Sequence, residues 1–244
     1  MKSRNTGVMR RGVRWGNSMR VLFIALFGTL MAVCGAVGSR AVTWEIPGLL
    51  SSKASAMEID RAQGRAVFRG AAEVTLTDQK TKQKVTFQAP EIMVLGAKAE
   101  KDRDAFTTVD RIILRGGPSR VVSVDQGLLI EASDITIVAP KTKGEGILES
   151  ASAKGGAHMR VTRKTGPAAA VQTLDIKSDS LEISEMGDKA IFTGSVVVSE
   201  QGPDYTSSAT ADIATVTGLL PKGAQPAQPM IVLQDKPQAA AVGG

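Results

Sequence analysis

Apolar and polar residues alternate with a period of two through most of this chain, and one stretch shows the pattern twice. Within residues 179–202, Leu181 and Ile183 alternate with Ser180, Glu182 and Ser184, while Phe192, Gly194, Val196 and Val198 alternate with Thr193, Ser195 and Ser199. This is the mark of a strand with one buried face. Ile191 and Val197 add some apolar weight to the other face. The polar run from Glu185 to Asp188 predicts a turn, so the unit reads as an antiparallel hairpin. An earlier segment repeats it at a constant offset: Glu58, Ile59, Ala66, Phe68, Gly70 and Val74 match Glu182, Ile183, Ala190, Phe192, Gly194 and Val198. In that copy Phe68, Gly70, Ala72, Val74 and Leu76 share one phase, against Arg69, Glu73, Thr75 and Thr77.

The pattern continues between the two copies. Val85 and Phe87 take one phase and Ile92 and Val94 the other, with Pro90 at the switch, which predicts a bulge at a sheet edge. Ile112 with Leu114, Val122 with Val124, and Ile135 with Ile137 follow as further strands. Ala132-Ser133-Asp134-Ile135 echoes Ala89-Pro90-Glu91-Ile92, and Ala211-Asp212-Ile213 echoes both. Gly70, Gly116, Gly155 and Gly194 recur about every 40 residues, the period of stacked supersecondary units. No helical period competes with this from Ala54 onward. The expectation is an all-β domain over residues 54–218, built from stacked antiparallel hairpins.

The ends read differently. Residues 1–20 form a basic tail expected to be cytoplasmic, and residues 21–37 carry no charge, so they are either a membrane anchor or a signal peptide. Trp15 and Trp44 bracket that segment as interfacial aromatics do, whereas Ala36-Val37-Gly38 and Ser39-Arg40-Ala41 suit cleavage. Either way the positive-inside bias sends the remainder out of the cytoplasm. Residues 38–53 read as a linker, and residues 219–244 as a Pro/Ala/Gln-rich tail interrupted by the apolar Met230 to Leu233, a last edge strand or a partner-pairing segment.

Charge and chemistry narrow the function. The net charge of +6 lies in the leader, where Lys2, Arg4, Arg10, Arg11, Arg14 and Arg20 meet no acid. The rest is balanced, which removes the electrostatic footprint of a nucleic-acid binder. Cys34, the single cysteine, sits in the apolar leader, and His158 is the single histidine. Neither metal-ligand spacing nor a phosphate loop nor a nucleophile elbow is present, so no metal or cofactor and no enzymatic activity are expected. Gly116-Gly117 and Gly155-Gly156 read as turns or bulges, and His158 as a packing or surface residue. Glu58 and Glu182 are the remaining acid/base candidates, for an envelope hydrolase, but their neighbours' phase points both to solvent. The apolar face itself allows two readings: an ordinary packed core, or an incompletely closed groove for hydrocarbon.

The run from Asp175 to Thr217 resembles the OstA-like domain of the lipopolysaccharide transport periplasmic proteins. Phe192, Thr193, Gly194 and Val196 occupy the positions of that family's Phe-Thr-Gly-Asn-Val pattern, with Ser195 in place of Asn, and Ala211, Asp212 and Ile213 fill its later Ala-Asp-apolar positions. Residues from Ala54 to Val94 match more faintly, with Arg69 for Thr and Ala71-Ala72 for Asn-Val. The resemblance implies a half-open β-jellyroll whose interior takes lipopolysaccharide acyl chains. It also implies edge-to-edge pairing with other OstA-like transport proteins and contact with an inner-membrane transporter complex. A basic tail and apolar segment ahead of one such domain is similar to the membrane-anchored member of the family. Strand phase and resemblance together nominate Phe68, Val74, Leu76, Phe192, Val196 and Val198 as lipid-binding residues, with Ile92, Val94, Ile135 and Ile137 beside them. The rival is a closed β-scaffold that binds an envelope protein and no lipid.

Overall fold

The computed structural model describes residues 41–78, 80–96, 106, 108–140, 148–165, 170–219 and 229–235. The basic tail and the apolar segment 21–37 lie outside them. The described residues are all-β apart from a single 3-10 turn, Glu185–Gly187. Their strands are β1 (Val42–Ile46), β2 (Leu50–Ala54), β3 (Ala56–Asp60), β4 (Arg65–Thr77), β5 (Lys84–Gly96), β6 (Val109–Arg115) and β7 (Ser119–Ser123). After these come β8 (Leu128–Ala132), β9 (Asp134–Val138), β10 (Ser150–Thr165), β11 (Ala170–Ser184), β12 (Lys189–Gln201), β13 (Thr206–Thr217) and β14 (Met230–Gln234).

All belong to one antiparallel sheet, and a single line of bends crosses it. The pairing register slips between Arg69 and Ala72 in β4, Lys154 and Ala157 in β10, Lys177 and Ser180 in β11, and Thr193 and Val196 in β12. Ser55 separates β2 from β3, Gly116 to Pro118 separate β6 from β7, and Ser133 separates β8 from β9. These points are neighbours in space. The Ser55 amide donates to the Arg69 and Gly70 carbonyls, the Gly117 amide to the Ser133 carbonyl, and the Ser133 amide to the Gly155 carbonyl. The line is therefore a crease, and each long strand crosses from one arm of the sheet to the other.

Close approach explains why glycine stands on it. A Cβ at Gly155 would lie 2.7 Å from both Cβ and Oγ of Ser133, and φ there is +80°. The Ser133 hydroxyl uses the space to donate to the Gly155 carbonyl at 2.9 Å. The recurrence of Gly70, Gly116, Gly155 and Gly194 thus marks every second crossing. The Ala-Pro-Glu-Ile and Ala-Ser-Asp-Ile echoes mark crossings between them. Pro90 accordingly sits at the crease of an interior strand, opposite Gly70 and Ala71, and not at a sheet edge as its sequence context suggests. Its missing N–H falls where the ladder is already broken.

Cross-strand pairing lines up the apolar positions. In the first arm Phe68, Ile92, Leu114, Ile135, Ala153, Leu181, Phe192 and Ala214 follow one another across eight strands. In the second arm Val74, Phe87, Val121, Ile130, Met159, Ile176 and Val198 do the same. Both rows are buried in a single cluster, with Phe68, Phe87, Ile92, Met159, Ile176 and Phe192 at 0% exposure. Among the described residues no other layer covers them, so the two arms face each other. Burial of each such side chain is worth about 1.5–3 kcal/mol, and this drives the sheet to double over.

Two sequence expectations change, and of two alternatives for Met230 to Leu233 one is decided. Val42–Ile46 and Leu50–Ala54 are strands, so the domain starts within the supposed 38–53 linker. Met230–Gln234 pairs with β13, making an edge strand inside the 219–244 tail. In β7 the buried phase is Ser119, Val121 and Ser123, while Val124 is 83% exposed. The sheet is also less open than a simple half-open jellyroll. β5, β6, β9, β10, β8 and β7 close a six-stranded circuit around the crease, because β6/β7 and β9/β8 are each one strand broken there. Elsewhere the path has free ends, at β1 and β3 on one side and at β13 and β14 on the other.

Candidate functional site: the apolar interior and its mouth

All ten nominated residues face the interior. Phe68, Ile92, Ile135 and Phe192 stand in the first-arm row nearest the crease, with Val94 and Ile137 in the next row out. Val74 and Val198 belong to the second-arm row, Leu76 lies further from the crease, and Val196 lies beside it. Each is 6% exposed or less. The alternation that nominated them thus reports the inner face correctly. What covers that face is a property of the crease, which alternation does not encode.

The two ends of this interior differ. At the amino-terminal end Trp44 of β1 stacks on Phe68 and meets Phe106 edge-on, with ring centroids 6.0 and 5.1 Å apart. These rings plug the end between the arms. At the other end the second arm stops at β13, since β14 pairs only with Ile213 to Thr217 in the first arm. Register carries the inward phase from Glu200 to Ser207 and from Val198 to Ala209. Ser207 and Ala209 are nevertheless exposed, and Leu233, on the inward phase of β14, is 38% exposed. Here the apolar face reaches solvent.

Polar groups gather at the rim of this mouth. Gln172 Nε2 donates to Glu200 Oε1 at 2.5 Å and also to the Tyr205 hydroxyl oxygen. The Tyr205 hydroxyl lies 3.1 Å from the same Glu200 oxygen, to which it donates. Sequence reading missed these residues, although a signal was present: Glu200 follows Val196 and Val198 on one phase and breaks the apolar run.

A second polar cluster lies on the outer face of the second arm. His158 Nδ1 is 3.1 Å from Glu131 Oε2 and its Nε2 is 3.0 Å from Asp175 Oδ2. Arg160 Nη2 approaches Asp175 Oδ2 at 2.8 Å, and Arg120 Nε approaches Glu131 Oε1 at 2.6 Å. Partial burial pushes the Asp175 carboxyl up, but hydrogen bonds and charge from His158 and Arg160 outweigh it and hold it below the ordinary carboxylate value. This network ties β7, β8, β10 and β11 together on the face away from the apolar interior.

Glu58 and Glu182 are both exposed and stand on β3 and β11, six strand steps apart along the sheet path. Glu58 takes part in a surface ion pair with Arg69 at 3.4 Å. Among the described residues no group of His, Cys, Asp and Glu is placed to hold a metal ion. Two clefts, of about 770 and 660 Å³, open along the crease, one around Gly117 and Ser133 and the other around Ser195 and Asp212. Of the nominated residues only Val196 lines either.

No family model matches the chain, and no curated protein matches its sequence. Among solved structures the chain is similar to LptH, the LptA-homologous periplasmic component of the lipopolysaccharide transport device from Pseudomonas aeruginosa. The identity is 12% and the TM-score 0.26, over 76% of this chain and 94% of that one.

Proposed function

We propose that the protein is a non-enzymatic lipid-transfer protein of the periplasm, which holds lipopolysaccharide acyl chains between the two arms and passes them from the inner toward the outer membrane. The observation that carries this reading is the inner face itself: apolar rows run unbroken across both arms and come to the surface at Ala209 and Leu233. The likeness of residues 175–217 to the OstA-like pattern supports lipopolysaccharide as the cargo. Phe68, Val74, Leu76, Ile92, Val94, Ile135, Ile137, Phe192, Val196 and Val198 would be its contacts. A chain of about 12 carbons seated along these rows contributes about 10 kcal/mol, enough to offset parting of the packed arms over a few residues. A groove of the half-open jellyroll kind is then the loaded state.

The same reading assigns the partners. The free edge of β13 from Thr206 to Thr210 is exposed on both faces and carries neither Lys nor Pro, the usual guards of a lone edge. It suits pairing with an edge of another OstA-like protein, and the β1 and β3 edges suit an inner-membrane transporter complex or its neighbour. Residues 21–37 would hold the domain at the inner membrane unless they are cleaved. A nucleic-acid partner has no place in this scheme.

One observation favours the rival, a closed scaffold that binds an envelope protein: the interior is packed to near-zero exposure. Ala209→Asp distinguishes the two, because it charges the mouth without entering the packed rows. Lipopolysaccharide that copurifies with the wild-type protein and is lost from this variant, at unchanged circular dichroism, supports transfer. Equal lipid, or none in either, supports the scaffold.

A further inference from the structure

The inward face changes character at one corner of the mouth. Along the second arm Val161, Leu174 and Glu200 are neighbours in one row, so a carboxylate follows two aliphatic side chains. One pair further from the crease the inward phase continues through Arg163 and Gln172. The hairpin from β12 to β13 closes this corner: Gln201 pairs with Thr206, and the Gly202 amide donates to the Tyr205 carbonyl at 2.9 Å. Tyr205 therefore shares the phase of Ser207 and faces the same way as Glu200.

Glycine makes this placement possible. A side chain at Gly202 would strike the Tyr205 ring, which lies back over the turn in the space a Cβ would fill. Folded this way, the ring brings its hydroxyl to both Gln172 and Glu200. Tyr205 still keeps 46% of its surface exposed. The corner thus presents an aromatic face, a carboxylate acceptor, an amide with donor and acceptor, and a hydroxyl, all at the end of an apolar surface.

We propose that Gln172, Glu200 and Tyr205 form a sugar subsite, which takes the hydroxyl-bearing head of an amphiphile whose acyl chains lie along the apolar rows. The proposal rests on the lipid-carrier reading and adds where the head sits. At Glu200 the chemistry favours a sugar hydroxyl over a phosphate. Vicinal hydroxyls donate to the Glu200 carboxylate and accept from the Gln172 amide, while the apolar face of a pyranose lies on the tyrosine ring. A phosphate brought to Glu200 meets a like charge.

The test uses the full-length protein and two synthetic lipids with identical acyl chains, a diacylglycerol glucoside and a phosphatidylethanolamine, with affinities measured by fluorescence competition. Glu200→Ala and Tyr205→Ala are expected to weaken the glucoside about tenfold, the equivalent of one hydrogen bond to a charged group, without weakening the phosphatidylethanolamine. Tyr205→Phe keeps the ring over Gly202 and removes only the hydroxyl, so a selective loss of smaller size is expected from a variant that retains the turn. Unchanged affinity for both lipids would overturn the subsite and make the corner a brace for the hairpin. An equal fall for both would overturn it too, as loss of mouth packing. Wild-type protein that binds neither lipid would remove the carrier reading together with the subsite.

Discussion

Trp44 stacks on Phe68 with their ring planes inclined by 27°, although Trp44 lies on β1 in the second arm and Phe68 belongs to the first. Phe68 and Val74 are six residues apart on one strand, and Val74 is reached from Trp44 through Ser52. In a flat sheet six residues span about 20 Å, so this contact exists only because the sheet doubles over at Gly70. Trp44→Ala should therefore lower stability by about 2–3 kcal/mol, read as a shift of the urea midpoint at constant slope. No shift would mean that Trp44 serves the membrane interface that its place beside residues 21–37 suggests.

The crease makes a separate prediction about two adjacent glycines. Gly155 and Gly156 both have φ of +80°, yet a Cβ on Gly156 meets nothing within 4 Å, while one on Gly155 runs into Ser133. Gly156→Ala should cost about 1–2 kcal/mol, the ordinary penalty of a left-handed residue. Gly155→Ala should cost more by about 1–3 kcal/mol, because it adds overpacking against a neighbouring strand. Equal costs in denaturant titrations would show that the close approach of Ser133 and Gly155 does not hold the bend.

Asp175 predicts a pH dependence. Its folded-state pKa lies below the unfolded value of about 3.9, so the group adds stability that is fully present above that value and is lost as pH falls through the folded one. The stability difference between wild type and Asp175→Asn should shrink as pH falls below about 4. A difference that instead grew on acidification would contradict the His158–Asp175–Arg160 network.

The free edge of β13 can be closed to partners without touching the interior. Ser208 and Thr210 are exposed and lie on the outward phase. If β13 pairs edge to edge as proposed, a Ser208→Lys, Thr210→Lys pair should weaken that association by about tenfold or more while leaving the melting temperature within a few degrees, since lysine on an edge deters strand addition. Light scattering over a range of protein concentrations reads this directly. Unchanged association would place the contact elsewhere.

Much of the fold was legible in the sequence, for identifiable reasons. Strands such as β4, β5, β11 and β12 bury one face and carry large apolar residues at every second position, so Phe68, Ile92, Leu181 and Phe192 announce both strand and phase. β1 and β2 did not, because β1 has no buried position and those of β2 include Ser52 and Ala54, which read equally well as a linker. The glycine recurrence was visible but ambiguous, since a repeat of hairpins and a repeat of crossings over one crease give the same spacing. The packing of one arm on the other depends on contacts between residues far apart in sequence, such as Trp44 with Phe68, and no local period carries that information. The polar corner was written as a break in alternation at Glu200, meaningful only once Gln172 and Tyr205 are brought beside it.

The most direct test of lipid carriage is photocrosslinking in cells that make lipopolysaccharide, with benzoyl-phenylalanine placed at Ala209 and, in a second strain, at Thr210. The two positions are adjacent on β13 and both are exposed, but only Ala209 continues the inward row through Val198 and Ile176. Lipid carriage predicts a lipopolysaccharide adduct at 209 and none at 210. Adducts at neither position, or equally at both, from protein that is folded and correctly located would contradict it.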